Sequence, residues 1–168
     1  IRGSRSGLVD EVFALLEHRN VPWLLLENVS FMLRLDRGAA LDHLVSALER
    51  LGYAWAYRTV DSRAMGLPQR RERVYLLASK TGDPRDVLLV DDAGPPPAED
   101  RESWRDTACG FYWTEGLRGL GWARNAVPTL KAGSTIGIPS PPAVVLPSGL
   151  VVTPGIRVAE RLQGFPED

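Results

Sequence analysis

Residues 21–29 read VPWLLLENV: from Trp23 to Leu26 nothing is polar, and the run ends abruptly in Glu27 and Asn28. An unbroken apolar run of this length is what a strand covered on both faces needs, as in a parallel sheet between helix layers. Upstream, Leu8, Val12, Leu15 and Leu16 recur at helical spacing, and Asn20 and Pro22 stop the pattern. Downstream, Asp36 is placed to cap a helix whose Leu41, Leu44, Val45, Leu48 and Leu51 form one stripe, closed by Gly52. Two further strand-like segments follow, YAWAYRTV at 53–60 and RVYLLAS at 73–79, joined by the loop 61–72. Strand, helix, strand is the grammar of an α/β fold.

Beyond Gly82 the texture changes. Eleven of the 16 glycines and 11 of the 13 prolines lie at or after that position, so long helices are not expected there. This region reads as loop-rich and short-stranded, with a small core drawn from Trp104, Phe111, Tyr112, Trp113 and Trp122. A last helical segment runs from about Gly155 to Gly164.

Composition sets limits on function. A net charge of −1 gives no global basic field, so a nucleic-acid partner has to be met by a local patch. Only Lys80 and Lys131 are lysines among the 20 basic residues. Arginine suits bidentate contacts with phosphates and guanine edges, although a GC-rich genome gives the same bias. The single cysteine, Cys109, excludes an internal disulfide and a multi-cysteine metal site, and with only His18 and His43 no metal centre is expected. The sequence has no apolar stretch of membrane-span length and opens with no signal peptide, which predicts a soluble cytoplasmic protein and no membrane partner.

Two stretches carry candidate chemistry. Glu27 ends the buried run, where open α/β sheets bind ligands, and is placed to donate a proton or hydrogen bond near neutral pH; it also reads as a solvent-facing strand end. PQRRERVYLL at 68–77 sets three arginines ahead of a strand. If extended, Gln69, Arg71 and Arg73 point the same way, and two guanidiniums beside a carboxyl neutralise a forming anion. A solvated basic turn is the alternative.

Taken together, ENV at 27–29, LGYAWAYRTVDSRAMGLPQRRERVYLLAS at 51–79 and RVAERLQGFPED at 157–168 resemble, in order, the motifs of DNA cytosine-5 methyltransferases. RSGLVDEVFALLE at 5–17 resembles the helix that precedes ENV in that family. The resemblance implies a partial Rossmann-like, S-adenosylmethionine-dependent methyltransferase fold with a loop-rich target-recognition insertion. It implies a cytosine flipped from double-stranded DNA, a cysteine thiolate attacking C6, a methyl group passing from S-adenosylmethionine to C5, and a base removing the C5 proton. Glu27 then matches the glutamate that hydrogen-bonds N3 and the exocyclic amine, with Asn28 shaping the pocket. Arg73 matches the arginine near cytosine O2, Arg71 supports the site and Gln69 holds the loop at the DNA. Within 110–133, Arg118, Arg124, Asn125, Thr129 and Lys131 are the candidate DNA contacts. The final segment, with Arg157, Arg161, Gln163, Phe165 and Pro166, resembles the motif that organises the recognition region; Val158 stands where the family usually has an acidic residue.

The resemblance divides the chain into the second half of a catalytic domain (1–81), a target-recognition region (82–150) and a return segment (151–168). The family's Phe-x-Gly-x-Gly cofactor loop and its Pro-Cys nucleophile do not occur in the sequence, no cofactor-binding residue is assigned, and Cys109 is not accepted as a replacement. The chain begins at Ile1, and the expectation is a fragment of a restriction-modification or phage enzyme, inactive alone. The missing parts would come from the rest of a longer chain or from a separate polypeptide. Two other readings stand beside this one: a non-catalytic DNA-binding subunit or remnant of a split enzyme, and an RNA cytosine-5 methyltransferase, against which the sizeable insertion argues.

Overall fold

The computed structural model describes residues 7–92, 94–95, 106–115, 119–131 and 141–166. It is mixed α/β and divides into two units. The first contains the described residues of Ile1–Val60 and Glu72–Asp92. The expected helices and strands form in it: α1 (Gly7–His18), β1 (Trp23–Val29), α2 (Ala39–Arg50), β2 (Ala54–Asp61) and β4 (Glu72–Ser79), with β3 (Gln69–Arg70) intervening in sequence; the short α3 (Arg85–Leu88) falls in a stretch read as loop-rich. The sheet order is β1-β4-β2, and β1 runs antiparallel to β4 in register from Trp23 opposite Ser79 to Val29 opposite Arg73.

That pairing corrects the expectation for β1. Its side chains alternate across the sheet, so only Leu24 and Leu26 pack against the core built from Phe13, Leu16, Leu44, Ala47, Leu48, Leu76 and Ala78. Leu25 points the other way and is 59% exposed. Among the described residues β1 lies at the sheet edge, covered on one face and paired with one strand. Tyr53 closes the bottom of this core by donating its hydroxyl to the Val21 carbonyl at 2.6 Å, and burial pushes its phenol up from the ordinary value.

The helix cap expected at Asp36 is also corrected. Residues 30–38 form 3-10 turns, and Asp36, Arg37 and Gly38 take positive φ of 49°, 57° and 95°. The left-handed run moves the start of α2 to Ala39, where Gly38 sits at the cap and no side chain bonds to the first turn.

The second unit contains the described residues of Asp61–Arg71 and Ala93–Asp168. Its elements are a 3-10 turn (Ser62–Met65), β3, β5 (Cys109–Glu115), β6 (Gly119–Arg124), β7 (Val127–Pro128), β8 (Ala143–Val145), β9 (Val151–Val152) and α4 (Ile156–Arg161). Short strands, and among the described residues no long helix, are what its glycine and proline content dictates. The antiparallel sheet is ordered β6-β5-β8-β9, and β3 pairs in parallel with β7. Gly110 is required where β5 meets β7: a Cβ there would overlap the Val127 Cα and the Ala126 carbonyl oxygen.

Tyr112, Cys109, Ala123 and Val127 are buried here. Tyr112 donates its hydroxyl to the Lys131 carbonyl at 3.0 Å and accepts the Lys131 N–H at 3.2 Å. Of the aromatics expected in the small core, Trp113 is instead 66% exposed, because it follows Tyr112 on the strand and faces the opposite side. Trp104 lies outside the described residues.

The two compact units divide the chain elsewhere than at 81 and 150. The loop Asp61–Arg71 interrupts the first unit in sequence yet packs with the second, and so does the final segment. The physical reason is polar: Pro68, Gln69 and Arg70 find their hydrogen-bond partners at Val127, Leu162, Trp122 and Thr129. No helix among the described residues is long and apolar enough to cross a membrane.

Candidate functional site

In the first unit, alternation along β1 sends Glu27 to the face opposite the helices. Arg73, at the start of β4, stands opposite Val29 in the register and so lies diagonal to Glu27 on that same face. Arg73 Nε donates to Glu27 Oε1 at 2.9 Å, with side chains 15% and 45% exposed respectively. Arg73 Nη1 also donates to the Glu72 carbonyl at 2.8 Å, which fixes the guanidinium plane. The burial expected around Glu27 is replaced by a half-exposed ion pair, since no element among the described residues covers β1 on this face. Asn28 is exposed beside it, and its Oδ1 accepts the Val29 N–H at 2.8 Å. The arrangement offers an acid–base group and a cation at one end of a strand pair, open to solvent.

The extended reading of 69–73 fails at Arg71. Its N–H bonds the Gln69 carbonyl at 3.0 Å, a turn closed across a single residue, and this breaks the alternation between β3 and β4. Gln69 is 2% exposed and its Nε2 donates to the Leu162 carbonyl at 3.3 Å, so its side chain holds the loop to the final segment. Arg71 accepts the Ser62 N–H at 3.0 Å through its carbonyl. The structure therefore joins Glu27 with Arg73, and places Gln69 and Arg71 in the second unit.

The remaining candidates belong to that unit as well. Thr129 donates its hydroxyl to the Arg70 carbonyl at 2.9 Å. Asn125 takes a positive φ of 47° in the turn between β6 and β7 and donates its N–H to the Ala108 carbonyl at 2.9 Å. Lys131 is exposed, with its ammonium 5.2 Å from the Tyr112 ring centroid. Arg124 Nη1 is buried and has no acceptor among the described residues, a group that calls for one. Arg118 lies outside the described residues.

Sequence reading counted Arg70 only among the three arginines of 68–77 and gave no role to Asp61 or Arg63. Asp61 caps the 3-10 turn by accepting the Arg63 N–H at 2.9 Å, and Arg63 Nη2 also donates to it at 2.9 Å. Burial alone would raise the Asp61 carboxyl; the side-chain and backbone hydrogen bonds from Arg63, with the charges of Arg63 and Arg70, hold it below its usual range. The signal was present as Asp-Ser-Arg after a strand, an N-cap pattern. Cys109 is buried, and its thiol faces the Thr107 carbonyl at 3.7 Å, consistent with a small apolar role.

Comparison with known proteins places these features in context. Residues 1–106 match the sequence model of a family described as C-5 cytosine-specific DNA methylase. The chain is 58% identical over its full length to the Type II methyltransferase M2.BsuMI of Bacillus subtilis, and spans 45% of that protein. It is 35% identical, over 51% of its length and 20% of the relative's, to the Type II methyltransferase M.BanI of Aneurinibacillus aneurinilyticus. A solved structure, the Dnmt2 methyltransferase of S. pombe, is similar at 22% identity and a TM-score of 0.42, over 62% of this chain and 33% of that one.

Proposed function

From the membership of this chain in the C-5 cytosine-specific DNA methylase family, we propose that it is part of an enzyme that methylates C5 of cytosine in double-stranded DNA within a restriction-modification system. The first unit is accordingly part of a Rossmann-like methyltransferase domain. The observation that carries the proposal is the Glu27–Arg73 pair, a carboxyl and a guanidinium held 2.9 Å apart on one face of β1 and β4.

A flipped cytosine presents N3 and its exocyclic amine on one edge, with O2 adjacent. A carboxyl group at Glu27 bonds N3 and the amine, and Arg73 beside it meets O2. Attack at C6 pushes negative charge onto N3 and O2, and groups already in place to receive it lower the barrier without reorganising. Asn28 shapes this edge, and Arg71, two residues from Arg73 along the chain, supports it. Arg124, Asn125, Thr129, Lys131 and Arg118 supply contacts to DNA from the recognition region, with Gln69 holding the loop to the final segment.

S-adenosylmethionine is the methyl donor that family membership implies, and that family's Phe-x-Gly-x-Gly loop does not occur in this sequence. The segment after β1 is a 3-10 stretch, Ser30–Gly38, with no Gly-x-Gly turn for a cofactor. Cys109 is not proposed as the nucleophile: it is buried, and Ala108 rather than a proline precedes it. The cofactor loop and the thiolate are supplied from outside this sequence, by the rest of a longer chain or by a separate polypeptide, in a prokaryotic cytoplasm.

The test grafts this chain in place of the matching 45% of the Bacillus subtilis relative. Transfer of labelled methyl groups to duplex DNA is expected. A soluble, folded hybrid that labels no DNA, or labels RNA instead, overturns the proposal.

A further inference from the structure

Arg73 reaches Glu27 diagonally, and the position directly opposite Glu27 belongs to Tyr75. Residues that face each other across an antiparallel pair share a face of the sheet, with Cβ atoms about 4.5–5.5 Å apart. The face that carries the ion pair is therefore a ladder of rows along β1 and β4: Leu25 with Leu77, Glu27 with Tyr75, and Val29 with Arg73. The surroundings of the Glu27 side chain follow from that order. Towards the start of β1 it meets a row with no polar side chain, made of Leu25 and the buried Leu77. Across the ladder it meets a phenol ring. Of these three rows, the one towards the end of β1 carries a cation.

Tyr75 is held between two strands. β4 is the middle strand of the sheet, so β2 borders it on the side away from Glu27. Trp55 of β2 packs against the core, and alternation puts Ala56 and Arg58 on the same face as Tyr75. Ala56 is buried, and Arg58 donates to the Leu88 and Asp91 carbonyls at 2.9 Å and 2.6 Å, which turns its guanidinium towards the chain beyond α3. Val74 and Leu76, both buried on the core face, fix the main chain on either side of Tyr75. The Tyr75 side chain is partly buried, and its hydroxyl has no hydrogen-bond partner among the described residues. What the residue supplies at this position is the bulk of its ring.

That bulk matters to a glutamate. Ordering a free glutamate side chain costs up to about 2 kcal/mol in rotamer freedom. A rigid ring across the ladder removes rotamers that carry the carboxyl away from the Arg73 row, so the 2.9 Å contact forms at a smaller entropic cost. It also keeps water from one side of a half-exposed pair, and a charged hydrogen bond is stronger where water is excluded.

We infer that Tyr75 is a positioning residue for Glu27: its ring, in the cross-strand position, holds the carboxyl against Arg73 in the arrangement that meets the cytosine edge. The cytosine rests on the proposed function, whereas the positioning is a property of β1 and β4 alone.

The test uses the grafted enzyme with Tyr75→Ala, Tyr75→Phe, Glu27→Gln and the double variant of Tyr75→Ala with Glu27→Gln. Tyr75→Ala should lower kcat about tenfold, within the scale of a small misplacement at a reacting centre, with duplex Kd within about twofold. Tyr75→Phe keeps the ring and should recover nearly all of that loss. In the Glu27→Gln background, Tyr75→Ala should change kcat by no more than about twofold, because the charge it positions is already gone. Exchange of the Arg73 Nε proton, followed by nuclear magnetic resonance, should be about fivefold faster in Tyr75→Ala than in wild type or Tyr75→Phe, the scale of one weakened hydrogen bond.

An undiminished Tyr75→Ala effect in the Glu27→Gln background would make the ring a general structural element and overturn the inference. So would weakened duplex binding at unchanged kcat, a loss in Tyr75→Phe as large as in Tyr75→Ala, or unchanged Arg73 Nε exchange. If Tyr75→Ala does not fold, Tyr75→Val removes the ring, keeps a strand-forming side chain and carries the same readings. A folded but inactive wild-type graft would refute the proposed function, and the Arg73 exchange comparison would still judge the positioning.

Discussion

Replacing Glu27 by glutamine removes a charge and a titratable proton while keeping the shape and one oxygen acceptor. Its cost in stability follows from exposure. The Glu27 carboxylate is 45% exposed and its Arg73 partner 15%, and a pair open to solvent on one side contributes about 0–1 kcal/mol. Glutamine still accepts the Arg73 Nε–H, so the loss lies at the low end, and a melting point should fall by no more than about 2–4 °C. The cost in catalysis is of another order. A group placed to receive developing charge contributes about 3–4 kcal/mol, or about 10²- to 10³-fold in kcat. The assay is methyl transfer by the grafted enzyme, with duplex Kd and thermal unfolding measured on the same preparation. A stable protein that binds DNA normally and turns over about a hundredfold more slowly is expected. Equal losses in Kd and kcat, or a large fall in melting point with little change in kcat, would refute the reasoning.

Leu48 has no exposed surface in the core of the first unit, so Leu48→Ala should destabilise it by about 3–5 kcal/mol in chemical denaturation. Gly110→Ala should cost about 1–3 kcal/mol or more in the second unit, because the added methyl meets main chain that cannot swing aside; calorimetry would show an unchanged transition if that packing were loose. The Asp61 carboxyl is depressed, and Asp83, paired with Arg85, sits at about 2. Their contribution is therefore complete above the unfolded value of about 3.9 and is lost as pH falls through the folded values. Melts at pH 5 and at pH 3 should differ less in Asp61→Ala, which should itself cost about 1–2 kcal/mol at neutral pH. Exchanging residues 110–133 for the corresponding stretch of another relative should change which sites are methylated; sequencing that finds the same sites would count against a recognition role for that stretch.

Much of the first unit was legible because local periodicity and burial agree in it. Leu44 and Leu48 fall on one stripe of α2, and Leu76 and Ala78 on one face of β4, whatever their neighbours. The direction in which β1 is paired was not legible. Four apolar residues in a row fit a strand covered on both faces, but which face is covered depends on elements distant in sequence. Asp36 looked like a cap for the same reason: three consecutive left-handed residues leave no local mark beyond Gly38.

The site shows a similar division. Glu27 and Arg73 were both singled out, and the antiparallel register brings them together on one face. The face shared by Gln69, Arg71 and Arg73 was a property of an ideal strand, and the hydrogen bond from Arg71 to the Gln69 carbonyl removes it. The bonding of Arg70 was not legible because its partners are a main-chain carbonyl and a hydroxyl more than fifty residues away, which no spacing rule reaches.

The central claim is that this chain carries part of a site for transfer to carbon 5 of cytosine in DNA. It is tested most directly by digesting plasmid DNA from cells that express the grafted enzyme to nucleosides and identifying the modified base by mass spectrometry and chromatography. The account predicts 5-methylcytosine, absent when Glu27→Gln is expressed at the same level. Unmodified DNA from cells containing soluble wild-type graft, or a methyl group on an exocyclic amine of cytosine or adenine, would contradict it.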